Sequence, residues 1–140
     1  MTTALIAEID VDAPIAEVYR QWTRLESYPE YLEAIRSVRR IDDIRSRWSA
    51  SVGGIVVEFY ADIVEQVLDE SISWQSTDGV LHDGQVDLRP TTRGTRVRLR
   101  MAWDAGGVEA SGVGEEPEQA SRDLERFKEI VEQREAPGGA

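Results

Sequence analysis

At 140 residues the chain is the size of one ordinary domain, and it carries a formal charge of −11, no cysteine and a single histidine, His82. These counts exclude disulfides, thiol nucleophiles and thiolate metal sites. They leave zinc or non-haem iron to rest almost wholly on carboxylates, which suit those metals poorly, so no metal and no cofactor is expected. The negative balance also disfavours general affinity for nucleic-acid phosphate or an anionic membrane surface. Met1–Asp10 has no basic, apolar leader pattern and no segment approaches a membrane span, so a soluble, cytoplasmic protein without membrane insertion is expected.

The first element is a half-buried strand, Ala4 to Val11, with Leu5, Ala7, Ile9 and Val11 on one face and Glu8 and Asp10 on the other. Asp12-Ala13-Pro14 then opens a helix, in which proline suits the first turn and Asp12 and Glu17 sit near the positive end of the dipole. Its apolar residues Ile15, Val18, Tyr19 and Trp22 recur at helical spacing as core contacts. After a break at Tyr28-Pro29, the pattern Tyr31, Leu32, Ile35 predicts a second short helix. Ser37–Asp42 and Ser46–Val52 read as paired strands, and Gly53-Gly54 is a two-residue hairpin signal.

From Ile55 the alternation is plain, with Ile55, Val57, Phe59, Ala61 and Ile63 facing in and Glu58, Tyr60 and Asp62 facing out. Ser71–Ser76 carries Ile72 and Trp74. Val80–Leu88 sets His82, Gly84, Val86 and Leu88 in phase, and Thr95–Trp103 does the same for Val97, Leu99 and Met101. Arg96, Arg98 and Arg100 alternate with that last set as a solvated outer face. Seven antiparallel strands are expected, because the connections among the last six are too short for parallel crossovers.

The glycine-rich segment Asp104–Glu116 is either a mobile lid or an ordinary connector. Pro117–Glu135 then forms an amphipathic helix whose apolar positions Ala120, Leu124, Phe127 and Val131 step by four, three and four. Many strands followed by one closing helix predict an α+β domain over residues 1–135, a curved sheet gripping a helix, with a flexible tail at 136–140.

Ordered pieces along nearly the whole chain resemble the START-like superfamily of polyketide cyclase/dehydrase and coenzyme-Q-binding proteins. They are Ile9-Asp10-Val11-Asp12-Ala13-Pro14, Tyr28-Pro29-Glu30-Tyr31-Leu32, Val57-Glu58-Phe59-Tyr60-Ala61, Ile72-Ser73-Trp74-Gln75-Ser76 and Asp123-Leu124-Glu125-Arg126-Phe127-Lys128. The resemblance implies the helix-grip fold and an apolar cavity between sheet and C-terminal helix. Its members include aromatase and cyclase enzymes and carriers of quinones or lipids, so fold-level likeness alone does not choose a function.

His82 is the candidate general acid or base, because its unperturbed pKa lies near neutrality; the alternative is a packed or solvated residue at a strand end. Glu58, Tyr60 and Asp62 share a strand face and handle protons only if a bulge turns that face inward. Trp48, Phe59, Trp74, Met101 and Trp103, with Leu124, Phe127 and Val131 above them, form the expected wall of a flat-ligand pocket. They are equally able to fill a small core. The function expected is binding of a small hydrophobic, aromatic or polyketide-like molecule, with or without non-covalent cyclisation or dehydration. The alternatives are a non-catalytic carrier of a lipid, quinone or pathway intermediate, and a protein-interaction module with a filled core.

Overall fold

A computed structural model describes residues 3–52, 54–104 and 117–135. Strands β1 (Thr3–Val11), β2 (Ile35–Arg40), β3 (Arg45–Val52), β4 (Ile55–Val67), β5 (Ser71–Ser76), β6 (Leu81–Pro90) and β7 (Thr95–Asp104) form one antiparallel sheet in the order β1-β7-β6-β5-β4-β3-β2. Helix α1 (Ile15–Thr23) and a 3-10 turn (Leu25–Glu30) carry the chain from one sheet edge to the other, and α2 (Pro117–Glu135) closes the domain. This is the helix-grip arrangement, a curved seven-stranded sheet around a C-terminal helix.

Register places the faces. Leu5 lies opposite Met101 and Ala7 opposite Leu99, and all four are buried. The other face pairs Glu8 with Arg98 and Asp10 with Arg96, the latter joined at 2.8 Å, and sets the exposed Ile6 opposite Arg100. Alternation with a period of two therefore sorts apolar residues to the helix and charges to water. Such exposed pairs add little stability, about 0–1 kcal/mol each. The β3–β4 hairpin closes between Val52 and Ile55, and Gly54 takes φ +84°, which a two-residue hairpin turn requires and a Cβ resists.

Helix α2 lays Ala120, Leu124, Phe127 and Val131 on the sheet, each essentially without exposure. Burying a side chain of Leu or Phe size contributes about 1.5–3 kcal/mol. The far end of the stripe is tied to β1: Lys128 Nζ donates to the Asp10 carbonyl at 3.0 Å and to Glu132, whose carboxylate also accepts the Asp12 amide at 2.8 Å. Among the described residues no helix is long and apolar enough to cross a membrane.

Two local expectations are corrected. The short helix predicted around Tyr31, Leu32 and Ile35 is instead the 3-10 turn Leu25–Glu30, which includes Tyr28 and Pro29. Ile35 has already joined β2 opposite Ala50, so the apolar spacing there marks a turn and a strand start rather than one helix. Ile55, assigned to the inward face, sits beside the hairpin turn and is 49% exposed; full burial on β4 begins at Phe59. The segment 105–116, read above as lid or connector, and the tail 136–140 lie outside the described residues.

Candidate functional site

The inner face carries one connected set of rings drawn from every layer of the fold. Trp48 on β3, Phe59 on β4, Trp74 on β5, His82 on β6 and Trp103 on β7 form a sheet-side group. Trp22 at the end of α1, Tyr31 after the 3-10 turn and Phe127 on α2 form a helix-side group. Tyr28 joins them, with ring centroids 5.5 Å from Trp22, 5.7 Å from Trp48 and 5.4 Å from Trp74. These are direct packing distances for aromatic pairs, each worth about 0.5–1.5 kcal/mol beyond area burial.

The residues expected to wall a pocket all lie buried between sheet and helix: Trp48, Phe59, Trp74, Met101 and Trp103 from the sheet, Leu124, Phe127 and Val131 from α2. Ring contacts join Trp48 with both Phe59 and Trp74, and Phe59 with Trp103, whereas Phe127 stacks on Trp22 at 4.6 Å and 24°. One glycine makes the sheet-side packing fit. A Cβ on Gly84 would fall 2.1 Å from Trp74 Cζ2, so the indole occupies the volume that any side chain there would need.

His82 faces inward, 3% exposed, stacked on Trp103 at 3.8 Å and 22°. Its Nδ1 lies 3.0 Å from the Ala102 carbonyl, which can only accept, so Nδ1 carries the proton. Its Nε2 then accepts from the Trp74 indole N–H at 2.9 Å. Burial lowers its pKa to about 4, against the opposing effects of the Ala102 carbonyl and Asp83. The imidazole is therefore neutral at physiological pH with both nitrogens engaged, an arrangement that holds Trp74 and offers no lone pair to a substrate. The Trp48 indole is likewise matched, its Nε1 donating to Ser46 Oγ at 2.8 Å.

The helix-side group differs. Asp123 lies on α2 one turn before Phe127 and is 3% exposed. Its Oδ1 accepts from Gln119 Nε2 at 2.8 Å and from the Glu33 amide at 3.3 Å. Its Oδ2 and the indole Nε1 of Trp22 are both buried and find no hydrogen-bond partner among the described residues. Burial raises the Asp123 pKa to about 6, outweighing the bonds from Gln119 and Glu33. This is the inward ionisable group that a reading centred on His82 passes over. The signal was its position, three residues after Ala120 and four before Phe127, which places a carboxylate within the apolar stripe.

Glu58, Tyr60 and Asp62 stay on the outer face. Glu58 pairs with Arg47 at 2.7 Å, Asp62 with Arg45 at 2.9 Å, and the Arg47 guanidinium lies 4.7 Å from the centre of the Tyr60 ring. The bulge in β4 falls between Ile63 and Glu65, beyond the trio, so it does not reverse their phase. Two surface grooves, one beside Glu70, Asp87 and Arg98 and one beside Arg93, Lys128 and Glu132, are lined mainly by charges and offer no apolar wall. Among the described residues no cluster of three or more histidine or acidic side chains could hold a metal.

Residues 11–131 match the family described as polyketide cyclase/dehydrase and lipid transport. An uncharacterised 17.2 kDa protein of Streptomyces lincolnensis, from the melC2-rnhH intergenic region, is 33% identical over 132 residues, spanning 90% of this chain and 87% of the relative. A crystal structure from Deinococcus radiodurans is 26% identical and superposes with a TM-score of 0.80 over 96% of this chain and 99% of that one. The Zhui aromatase/cyclase of Streptomyces sp. R1128 is 13% identical with a TM-score of 0.76, covering 100% of this chain and 99% of its own, a likeness of fold alone.

Proposed function

Because the chain belongs to the polyketide cyclase/dehydrase and lipid transport family, we propose that it binds a small, flat, hydrophobic molecule between the sheet and α2. Trp48, Phe59, Trp74, Met101 and Trp103 receive it from below, and Leu124, Phe127 and Val131 from above. The observation that carries this reading is the ring set itself. Side chains from α1, α2 and five strands meet in one aromatic interior, which recognises planar conjugated ligands by area and ring geometry rather than by charge.

Binding is favoured over His82-based catalysis. A general base needs a free lone pair within reach of the proton it takes, and His82 Nε2 already accepts from Trp74. A carrier or chaperone of an aromatic or polyketide-like intermediate therefore fits better than a cyclase that works through His82. Native mass spectrometry of the protein purified from its own host, followed by organic extraction, tests this. The expected result is a discrete conjugated small molecule, released on denaturation. Protein that carries none, and that takes up no planar aromatic compound added in solution, would contradict the reading.

A further inference from the structure

A sheet of seven strands has two outer edges, and here each lies beside another element. β1 runs beside α2, where Lys128 Nζ donates to the Asp10 carbonyl, and β2 runs beside the 3-10 turn, where Glu26 accepts the Arg40 amide. A third stretch of edge is open. The ladder between β3 and β4 starts with Arg45 opposite Asp62, and beyond it the Ile63 amide donates to the Ile44 carbonyl at 2.9 Å. From there β4 continues to Val67 with β5 on one side, Val67 opposite Ser71, and among the described residues no strand on the other.

That stretch is apolar where an edge is usually guarded. Val64 is 59% exposed and Leu68 72%, and Ile41, Ile44 and Val67 at the same end of the sheet are exposed as well. Unpaired N–H and C=O groups along a strand invite another chain, and natural edges are blunted by bulges and by charge, most often lysine. The bulge is present between Ile63 and Glu65, but the charges are acids. Asp42, Asp43, Glu65, Asp69 and Glu70 frame the apolar residues, and Arg45 among them is already bonded to Asp62 at 2.9 Å. Two copies pairing along this edge would set acid against acid in a chain of charge −11, and like charges across a strand pair are destabilising. A strand that carries lysine or arginine meets the opposite sign.

We propose that residues 64–68 are a docking edge for an extended segment of another protein in which apolar residues alternate with lysine or arginine. The segment adds a short strand on the open side of β4 and continues the sheet where β3 leaves it, with main-chain hydrogen bonds supplying affinity. Its apolar side chains cover Val64, Val67 and Ile44, and its cations lie against Glu65 and Asp43. The acids that keep a second copy away thus select a basic partner. None of these residues belongs to the aromatic interior, so docking here and ligand binding there are independent.

Nuclear magnetic resonance of the full chain labelled with nitrogen-15 tests this with a short capped peptide of alternating lysine and valine. The expected result is saturable binding at physiological salt, with the largest amide shifts at residues 64–68 and at Ile44. Methylating all of the peptide's backbone nitrogens removes its N–H donors and should weaken binding about tenfold. Glutamate in place of lysine should weaken it about tenfold as well. Glu65→Lys, a change at an exposed side chain, should lower the preference for the lysine peptide about fivefold. A methylated peptide that binds equally well, or shifts spread over the acidic surface with no maximum on β4, means adsorption by charge alone and overturns the proposal. Shifts at residues 64–68 that follow protein concentration without peptide, the result for a second copy on this edge, overturn it too. So does a failure of every peptide to bind.

Discussion

The sheet-side and helix-side halves of the aromatic interior are built from the same residue types but finished differently. Around His82 the polar atoms close on one another: Trp74 donates to the imidazole, the imidazole donates to Ala102, and Trp48 donates to Ser46. Around Phe127 they do not, since Trp22 Nε1 and Asp123 Oδ2 are left open. A self-satisfied network rigidifies a core, whereas an open one costs stability unless something else completes it. The contrast separates a part of the interior whose polar atoms are closed on one another from a part where two remain open.

The largest expected effect comes from removing the ring on which the helix-side half is built. Phe127→Ala deletes the partner of both Trp22 and Tyr31 and should cost about 3–5 kcal/mol in a denaturant titration. A loss under about 1 kcal/mol would mean that α2 is not clamped there. On the sheet side, Gly84→Ala forces a methyl group into the Trp74 indole and should cost about 1–3 kcal/mol. It should also disturb the Trp74–His82 bond, visible as a shifted Trp74 indole N–H resonance; an unmoved resonance with native stability would show that the sheet-side packing is loose.

The two halves also carry opposite pH signatures. Burial lowers the His82 pKa from 6.5 to about 4, so its contribution to stability is complete above 6.5 and is lost as pH falls through about 4. Burial raises the Asp123 pKa from 3.8 to about 6, so its contribution is complete below 3.8 and is lost as pH rises through about 6. Each is of the order of 2–3 kcal/mol, and across pH 4 to 6 they oppose each other. Asp123→Asn keeps an acceptor for the Glu33 amide and removes the buried charge, while the neighbouring charges of Arg122 and Glu33 remain. It should be more stable than wild type at pH 7.5 by about 1 kcal/mol, and its stability should climb more steeply from pH 4 to 6. An unchanged pH profile would place Asp123 in contact with water and remove the contrast.

The smallest effect is expected outside both halves. Arg47→Ala breaks the exposed pair with Glu58 and the contact with Tyr60, and should change stability by less than about 1 kcal/mol. A larger loss would give the outer face a structural role that its exposure does not suggest.

How much of this was legible in the sequence follows the physics of each element. Period-two alternation located the strands, and the four-three-four spacing located α2 at Pro117–Glu135, because burial on one face is written directly into residue order. The same alternation placed Glu58, Tyr60 and Asp62 outside. Around Tyr28–Ile35 it failed, since a 3-10 turn running into a strand mimics helical spacing over a few residues. His82 was legible as inward, but not the two bonds that occupy it, which depend on Trp74 and Ala102 from neighbouring strands. Asp123 was hidden by residue type: a carboxylate reads as solvated, and only the placement of Ala120 and Phe127 on either side of it says otherwise.

The ligand reading is tested most directly by the indole N–H resonances of the protein labelled with nitrogen-15 as naphthalene is titrated in. The account predicts that Trp48, Trp74 and Trp103 on the sheet side and Trp22 beside Phe127 all shift, because the ligand lies between the sheet and α2. Indole resonances that all stay in place would contradict it and leave a filled core.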